Sequence, residues 1–522
     1  MTTKAWTYRL LALVAGAAAA LAHPPFGFLP GLLGYALLLW LTDRSGGLKS
    51  AFFRGWLAGT AYFAIGTWWV TEAFYVDVRQ AWMAPFAIAF LAGGLGLFFG
   101  GAALLYRWIA PKRVTRVLVF AGALAGFEWL RGHILTGFPW DLPGETWRAG
   151  SAPSQLASVV GAYGLTWITL AIASAFALAR EGRKGLVAVG VALAVLAGLY
   201  GYGGWRLARA VETRGPLVRI VQPMVGQSAK YDPDLFARIV ARYVRLTQTP
   251  AASTPDIVIW PEGAIPAAIN DYLAPGTWTL EAITGALKPG QTLLVGAYRI
   301  EGPRDQARYY NSLAVLRRGD EGLTLTGLYD KHRLVPFGEY MPLDAIVSKW
   351  GIKQMVHVGE GFTPALPPRP IAPPGVPAVQ PLICYESLFP GFTREGARRS
   401  GIAPAWIVNV SNDAWFGATS GPPQHLNLAS YRAIEEGLPM ARATPTGVSA
   451  MVDAYGRTLA SIGLGKAGVI DIALPSPAPP TLYRRWGEWP FALMLLLSSV
   501  VAARVRPRAR LHKRQSSSTG NT

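Results

Sequence analysis

The 522-residue chain has a formal net charge of +19, yet only 15% of its residues are charged and 51% are apolar. Its mean hydropathy is +0.27, and soluble globular chains usually contain about 25% charged residues. The composition therefore excludes an ordinary soluble protein. The apolar residues are concentrated before residue 205 and near the C-terminus, whereas residues 215–475 alternate between apolar and polar segments as a soluble domain does.

Eight apolar stretches are candidates for membrane-spanning helices, which need about 20 apolar residues. The first stretch has the basic start and small-residue run of a signal peptide, but seven later spans favour uncleaved insertion. The predicted organisation is a seven-span region over 1–204, a soluble domain over 215–475, an eighth span over 489–503 and a basic tail over 504–522. The approximate bounds of the eight spans are 8–22, 26–41, 55–74, 83–106, 117–135, 157–179, 185–203 and 489–503.

The positive charge lies in the N-terminus, three short loops and the C-terminal tail. These segments hold 18 basic residues and two acidic ones, and all of them fall on one side of the membrane if eight spans insert. Basic loops usually face the cytoplasm, so both termini are expected there and residues 215–475 on the opposite side. This distribution favours membrane topology and contact with anionic lipid over nucleic-acid binding. No nucleic-acid partner is expected.

Strand and helix patterns alternate through the soluble domain, which indicates a layered α/β core. Helical spacing is found over 232–247 and 421–437, and the proline-rich segment 367–377 is expected to be a stiff surface loop. The predicted strands lie within 216–223, 256–266, 292–298, 312–318, 323–330, 376–386, 405–413, 447–453 and 467–473.

Three predicted strands end at residues that could carry chemistry, namely Glu262, Lys331 and the only cysteine, Cys384. Ligands and catalytic groups gather at the carboxyl ends of strands in α/β folds. Together the three would supply a base, a cation and a nucleophile. The alternative is a Glu–Lys surface ion pair with an unrelated core cysteine, and spacing alone does not separate the two interpretations. Neither a metal-ligand cluster nor a nucleotide-binding glycine loop is evident, so no metal or cofactor is expected.

Four ordered blocks make the chain recognisable: WPEGAIP, YDKHRLVPFGEYMP, ICYESLFP and NVSNDAWFG, with GFPW after the fifth span. Together they resemble the apolipoprotein N-acyltransferase family, a membrane-bound branch of the nitrilase superfamily. The resemblance implies an αββα sandwich beside the eight spans. It also implies a Glu-Lys-Cys triad at Glu262, Lys331 and Cys384, and it places the family's two further glutamates at Glu339 and Glu386.

The resemblance implies a two-step acyl transfer. Glu262 would take the proton of Cys384, and the thiolate would attack an ester of a phospholipid, with phosphatidylethanolamine the expected donor. Lys331 and the backbone N–H of Tyr385 would hold the oxyanion. The thioester would then pass its acyl chain to the free α-amino group of a diacylglyceryl-cysteine on an apolipoprotein. A monomer without cofactor is expected, in a bacterial inner membrane with a periplasmic catalytic domain.

Two positions depart from the usual family pattern. Tyr231 stands where the family often has tryptophan near the substrate entrance, and RATPTG (442–447) replaces R-x-T-N-N-G. Pro445 has no amide donor, so hydrogen bonds made by the family's asparagine pair are in question. Trp415 and Phe416 would line an acyl pocket or simply pack in the core. Residues 345–356 mix apolar and basic residues as an interfacial arm does, although a core helix or loop would also fit.

Other functions compete with this interpretation. A membrane-tethered amidase would use the same triad with water in place of the amine, but one anchoring helix would suffice for it. A transporter with a large external domain should carry ionisable residues deep inside its spans. Few are found, and Glu128 and Arg131 lie near a span end. A pure scaffold would not need Glu262, Lys331 and Cys384 at strand ends.

Overall fold

The computed structural model describes residues 3–209, 212–341 and 361–505. The predicted interfacial arm at 345–356 and the tail beyond residue 505 lie outside the described residues. The α-helices, in chain order, are α1 (Thr3–Leu21), α2 (Leu33–Asp43), α3 (Leu48–Gly66), α4 (Ala84–Ile109), α5 (Arg116–Arg131), α6 (Ala157–Ala175), α7 (Gly182–Leu207), α8 (Phe236–Thr247), α9 (Ile269–Tyr272), α10 (Trp278–Ala286), α11 (Phe392–Ser400), α12 (Gly421–Glu436), α13 (Leu482–Trp486) and α14 (Trp489–Val505).

Each predicted span coincides with a helix, from α1 to α7 and at α14. The third differs most from its predicted bounds, because α3 ends at Gly66 and a 3₁₀ helix follows over Trp68–Tyr75. Among the described residues, three helical segments are long and apolar enough to cross a membrane: Val78–Ile109, Pro153–Leu178 and Gly182–Leu207. The apolar helices at Ala5–Leu21, Leu29–Asp43 and Trp489–Arg504 are shorter. The apolar helices fit a membrane protein, and crossing by all eight remains a prediction.

Helices α3 and α4 approach each other through glycines. A Cβ on Gly59 would lie 2.8 Å from Gly96 Cα, and one on Gly55 would lie 2.5 Å from the carbonyl oxygen of Phe99. Small residues four apart let two helix backbones come this close, and in a lipid environment close packing is a main source of helix association. The glycine spacing in α3 therefore fixes how the third and fourth helices pack.

The soluble domain contains two sheets. The larger has the strand order β11-β1-β2-β3-β4-β5 and the smaller β10-β9-β8-β7-β6. The strands are β1 (Leu217–Gln222), β2 (Ile257–Trp260), β3 (Thr292–Glu301), β4 (Arg308–Arg318), β5 (Leu323–Asp330), β6 (Val379–Ile383), β7 (Trp406–Val410), β8 (Met440–Ala443), β9 (Ser449–Val452), β10 (Thr458–Ile462) and β11 (Gly468–Ala473).

Alternating side chains build four layers from these sheets, because successive residues of a strand point to opposite faces. Ile257 and Ile259 of β2 join Val408 and Val410 of β7 in the core between the sheets. Val258 of β2 points to the opposite face of the larger sheet and packs under α8 and α10. The outer face of the smaller sheet packs against α11 and α12. The layers are thus helix, sheet, sheet, helix, which is the sandwich that the family resemblance implied.

All nine predicted strands are present, and the sequence reading missed β8 and β10. It missed β8 because the four residues Met440–Ala443 follow a helix directly, and β10 because half of Thr458–Ile462 is exposed. The segment 367–377 is irregular, as expected, but it is only partly a surface loop. Pro368, Pro370, Ile371, Pro373 and Val376 are buried, so the prolines pack onto the domain.

Helix α12 joins the two-sheet sandwich to the apolar helical region. The side-chain oxygen of Gln424 accepts hydrogen bonds from the indoles of Trp69 at 3.0 Å and Trp140 at 3.2 Å. Arg432 pairs with the buried Glu145 at 3.4 Å. Trp140 and Glu145 lie between the fifth and sixth predicted spans, and Trp69 lies in the 3₁₀ helix after α3, so the two parts of the chain share a polar, buried contact surface.

Replacing Gly59 by leucine should destabilise the helical region, because the added side chain would overlap the backbone of α4. Overpacking of this kind costs about 1–3 kcal/mol, so the melting temperature of the detergent-solubilised protein should fall. Gly94→Leu is the matched control, because a Cβ there meets no atom within 4 Å. Equal melting temperatures for the two variants would show that α3 and α4 do not pack in this way.

Candidate active site

The topology of the sheets places three chemically active residues together. Strands β1, β2 and β3 are parallel, and β5 runs in the same direction because β4 is antiparallel to both of its neighbours. Glu262 follows β2 and Lys331 follows β5, so both lie at one edge of the larger sheet. Cys384 follows β6, a parallel strand of the smaller sheet. The three residues predicted from strand ends meet where the two sheets face each other.

Lys331 lies buried between two carboxylates. Its Nζ is 3.2 Å from Oε1 of Glu262 and 2.8 Å from Oε1 of Glu339, and its side chain is only 1% exposed. Burial alone would lower the pKa of Lys331, but the charges of Glu262 and Glu339 outweigh it and raise that pKa. Lys331 is therefore a fixed cation at neutral pH.

Asn311 connects the two carboxylates, and the sequence reading missed it. Its side-chain amide donates to Oε1 of Glu262 at 2.7 Å and to Oε1 of Glu339 at 2.8 Å. Its backbone carbonyl accepts a hydrogen bond from the amide of Lys331 at 2.7 Å. Because β4 is antiparallel, its beginning lies at the edge where β3 and β5 end. A search of strand ends alone could not find Asn311.

Glu262 keeps one oxygen without a partner. Its Oε1 is shared by Asn311 and Lys331, whereas the buried Oε2 has no hydrogen-bond partner among the described residues. The backbone of Glu262 passes closely over β3, where a Cβ on Gly296 would lie 2.5 Å from Glu262 Cα. The site thus holds the carboxylate firmly by one oxygen and leaves the other available as a proton acceptor.

The backbone of Cys384 is in the left-handed region, with φ of 49°. A non-glycine residue rarely adopts this conformation, which is found at tightly constrained and functional positions. The turn is held by Oε2 of Glu386, which accepts from the Ile383 amide at 2.8 Å, and by Ser387 Oγ, which donates to the Cys384 carbonyl at 2.8 Å. Cys384 begins a 3₁₀ helix over Cys384–Leu388, whose first amides have no intrahelical acceptor.

The thiol of Cys384 is protonated at neutral pH. Burial and then the charge of Glu262 raise its pKa to about 12, although the nearby Lys331 acts in the opposite direction. A thiol in this state needs a base at the moment of attack.

Glu386 fixes the segment that follows Lys331. Its Oε1 accepts hydrogen bonds from the hydroxyl of Tyr329 at 2.9 Å and from the amide of His332 at 2.7 Å. Burial raises the pKa of Glu386 to about 7, and these hydrogen bonds oppose the rise. Glu386 thus accepts hydrogen bonds from backbone amides next to Lys331 and next to Cys384. Glu339, in contrast, contacts the side chain of Lys331 directly.

A second buried network lies behind Cys384. Nδ1 of His425 is 2.9 Å from Oδ1 of Asp413, and its Nε2 is 3.0 Å from Ser387 Oγ and 3.3 Å from the Cys384 carbonyl. Burial would raise the pKa of Asp413, but Arg442 and His425 hold it well below its usual range. The network braces the turn that carries the thiol. Sequence reading missed His425 because the histidines are scattered along the chain.

The predicted substrate residues occupy different surroundings. Tyr231 is 66% exposed, and its hydroxyl accepts from the Gln227 side chain at 3.2 Å. Trp415 is partly buried. Phe416 packs 4.3 Å from Trp69, measured between ring centroids. The hydroxyl of Tyr385 donates to the Gly137 carbonyl, which ties the nucleophile turn to the GFPW segment.

Lys230, beside Tyr231, was not predicted. Its Nζ donates to the carbonyl oxygen of Gly263 at 2.7 Å and approaches that of Glu262 at 3.4 Å. Burial lowers the pKa of Lys230 to about 8, and the Glu262 charge opposes this.

At the other departure from the family pattern, the Pro445 carbonyl accepts from the Met224 amide at 2.8 Å. Within the part of the chain that the structure describes, no group of three His, Cys, Asp or Glu side chains could hold a metal ion.

Comparison with known proteins decides the family. The family model for the apolipoprotein N-acyltransferase N-terminal domain matches residues 15–175, and the carbon-nitrogen hydrolase model matches residues 208–478. An apolipoprotein N-acyltransferase of Caulobacter vibrioides is 58% identical over 96% of this chain and 95% of its own. The chain belongs to the apolipoprotein N-acyltransferase family. The corresponding protein of Brucella melitensis is 37% identical over 97% of each chain.

Solved structures of the nitrilase superfamily are more distant. An amidase from Nesterenkonia AN1 is 18% identical, with 52% of this chain and 94% of that chain covered and a TM-score of 0.34. A carbon-nitrogen hydrolase from Helicobacter pylori is 14% identical, with 56% and 93% covered and a TM-score of 0.34. The family match and the two stacked sheets give the C-terminal part a nitrilase-like fold, beside an N-terminal region of apolar helices.

Alkylation of Cys384 should be slow and strongly dependent on pH. With a pKa of about 12, the thiolate fraction at pH 7 is very small, and it rises about tenfold per pH unit up to that pKa. The rate of iodoacetamide modification of the full-length protein, followed by mass spectrometry between pH 7 and pH 9.5, should rise by this factor. Glu262→Gln removes a charge that disfavours the thiolate, so modification at pH 8 should be faster.

Asp320→Asn is the matched control, because it removes an exposed carboxylate that is not among the residues of the site. Its alkylation rate should equal that of the unaltered protein. A rate that is independent of pH, or a slower rate in Glu262→Gln, would contradict this account of the thiol.

Proposed function

We propose that this chain transfers a fatty acyl group from a phospholipid to the free α-amino group of an N-terminal diacylglyceryl-cysteine, which completes the maturation of apolipoproteins. Its membership of a family whose relatives are named apolipoprotein N-acyltransferase supports this reaction. The single structural observation that carries the proposal is the buried cluster of Glu262, Lys331 and Glu339 facing a protonated thiol.

In the first step Glu262 acts as the general base. Its unpartnered Oε2 takes the thiol proton as Cys384 Sγ attacks the ester carbonyl carbon of the phospholipid. The resulting oxyanion is stabilised by the ammonium of Lys331 and the backbone N–H of Tyr385. Glu262 then gives the proton to the departing alcohol oxygen, the ester C–O bond breaks, and a lysophospholipid leaves. A thioester on Cys384 remains.

In the second step the acceptor amine attacks the thioester. Glu262 takes a proton from the attacking nitrogen, and the C–S bond breaks to form an amide. The proton returns to Cys384, so the thiol is regenerated and the two steps balance. Because Lys331 stays charged throughout, the same cation stabilises the oxyanion in both steps.

The neighbouring residues support the triad in distinct ways. Glu339, with Asn311, holds the ammonium of Lys331 in place and offsets its charge. Glu386 fixes the backbone beside Lys331 and the turn before Cys384. We assign Tyr231, at the exposed surface, and Trp415 and Phe416, beside the aromatic residues of the helical region, to substrate binding.

The proposed substrates are lipids, which fits a catalytic domain attached to many apolar helices. We propose eight spans, cytoplasmic termini and a periplasmic catalytic domain in the inner membrane, on the basis of the charge asymmetry between loops. Phosphatidylethanolamine is the proposed donor. An amidase with the same triad would need no such helical region, which is why acyl transfer is favoured.

Label transfer from an acyl-labelled phospholipid tests the reaction. The acceptor is a synthetic peptide with an N-terminal diacylglyceryl-cysteine, and the same peptide with an acetylated amine is the control. We expect the label in an amide on the free-amine peptide alone. Glu262→Gln should reduce the rate by about 10²–10⁴, because a positioned base contributes that factor.

Two other results would contradict the proposal. Labelled fatty acid released at the same rate with and without the peptide would identify a hydrolase. Phospholipid that stays intact in the presence of the acceptor would remove the acyl-transfer reaction altogether and favour a non-enzymatic role.

A further inference from the structure

A cavity of about 560 Å³ lies where the helical region meets the catalytic domain. We name it the basic groove and define it by six of its lining residues, His133, Arg333, Arg394, Glu395, Arg398 and Arg399. Its lining does not include Cys384, Glu262 or Lys331. Its volume is within the range of small-molecule sites, and four arginines face a single carboxylate.

Two arginines of the basic groove, Arg333 and Arg394, are held in place by contacts that leave their charge uncancelled. Arg333 lies 4.1 Å above the ring of Phe389, and its buried Nε has no hydrogen-bond partner among the described residues. Arg394 donates to the carbonyl oxygens of Arg484 at 3.0 Å and Arg485 at 3.3 Å. Carbonyl groups orient a guanidinium without cancelling its charge.

The remaining cations of the groove differ in their pairing. Arg399 pairs with Glu395 at 2.9 Å, and both side chains are well exposed. Arg398 is exposed and forms no ion pair or hydrogen bond within the described ranges. Tyr163 also lines the cavity; it is 1% exposed, and its hydroxyl has no partner among the described residues. The groove thus offers unused donors of hydrogen bonds to an anion.

The groove lies at the ends of apolar helices. His133 follows α5 by two residues, and Tyr163 lies near the beginning of α6. Trp486 is 53% exposed and Trp489, at the start of α14, is 71% exposed. Exposed tryptophans at helix ends are typical of the membrane–water interface. The predicted spans therefore place the basic groove at the level of lipid headgroups.

We propose that the basic groove binds the phosphate group of an anionic glycerophospholipid. Guanidinium groups match phosphate oxygens in geometry and charge, and the rings of Phe389 and Phe392 provide an apolar surface beside them. Because Cys384, Glu262 and Lys331 do not line the groove, the bound lipid is a ligand that seats the catalytic domain on the membrane and not the acyl donor. The inference depends on the membrane location of the helices and not on the acyl-transfer reaction.

Native mass spectrometry of the full-length protein in a neutral detergent tests the site. Dioleoylphosphatidylglycerol is the probe, and dioleoylphosphatidylcholine, which has no net charge, is the comparison lipid. We expect the first phosphatidylglycerol molecule to bind about tenfold more weakly to the Arg394→Gln/Arg398→Gln double variant. Each basic residue near an anionic lipid surface contributes appreciably to the binding free energy. Arg238→Gln removes an exposed cation on α8, outside the groove, and should bind as the unaltered protein does.

A second pair of variants keeps the test independent of folding, because Arg394 also makes structural hydrogen bonds. Arg398→Gln alone changes an exposed residue and should still weaken binding. Glu395→Gln removes the competing carboxylate of the groove and frees Arg399, so it should bind the lipid more tightly. These opposite signs cannot arise from a general loss of stability.

Three results would overturn the proposal. The first is equal binding of phosphatidylglycerol by the double variant and the unaltered protein. The second is equal affinity of the unaltered protein for phosphatidylcholine. The third is displacement of the lipid by millimolar inorganic phosphate, which would assign the groove to the free anion instead of a membrane lipid.

Discussion

The ion cluster around Lys331 is the constraint on which the rest of the catalytic domain depends. An ammonium that is 1% exposed must have compensating charge. Glu262 and Glu339 pair with it for that reason, and the side-chain amide of Asn311 donates to both carboxylates. Removing the ammonium would leave two buried carboxylates without their cation, and breaking a buried ion pair typically costs about 3–5 kcal/mol. The two stacked sheets, whose parallel strands end at a common edge, bring these residues together from distant parts of the sequence.

The same cluster explains the state of the nucleophile. Burial, and then the charge of Glu262, raise the pKa of the thiol, and in the proposed mechanism the same carboxylate accepts the thiol proton. Strain in the Cys384 backbone is balanced by contacts from Glu386, Ser387 and His425. In the proposed mechanism the protonated thiol becomes nucleophilic when Glu262 takes its proton during the attack.

The attachment to the helical region extends this rigid arrangement to the membrane. Gln424 and Arg432 on α12 contact Trp69, Trp140 and Glu145 of the N-terminal helical region, and Tyr385, next to Cys384, donates to the Gly137 carbonyl. The turn that carries Cys384 is therefore fixed relative to the apolar helices. An enzyme whose substrates lie in a bilayer needs its nucleophile at a constant depth, and these contacts provide it.

Much of this arrangement was predictable from the sequence because it depends on local patterns. Apolar periodicity located the helices of the membrane region and the buried strands, and strand ends located Glu262, Lys331 and Cys384. Asn311 and His425 were missed because their importance arises from antiparallel pairing and from packing between distant segments, which no local pattern records. The direction in which the pKa of Cys384 shifts could not be predicted from the sequence either, because it depends on burial and on the balance between the charges of Glu262 and Lys331.

The central claim is that Cys384 carries the acyl group between the two substrates. Intact-mass spectrometry of the full-length protein, incubated with phospholipid and without acceptor, tests it most directly. The account predicts a fatty-acyl mass addition that hydroxylamine removes and that is absent from Cys384→Ala. An unmodified protein whose Cys384 is still fully available to alkylation after the incubation would contradict the account.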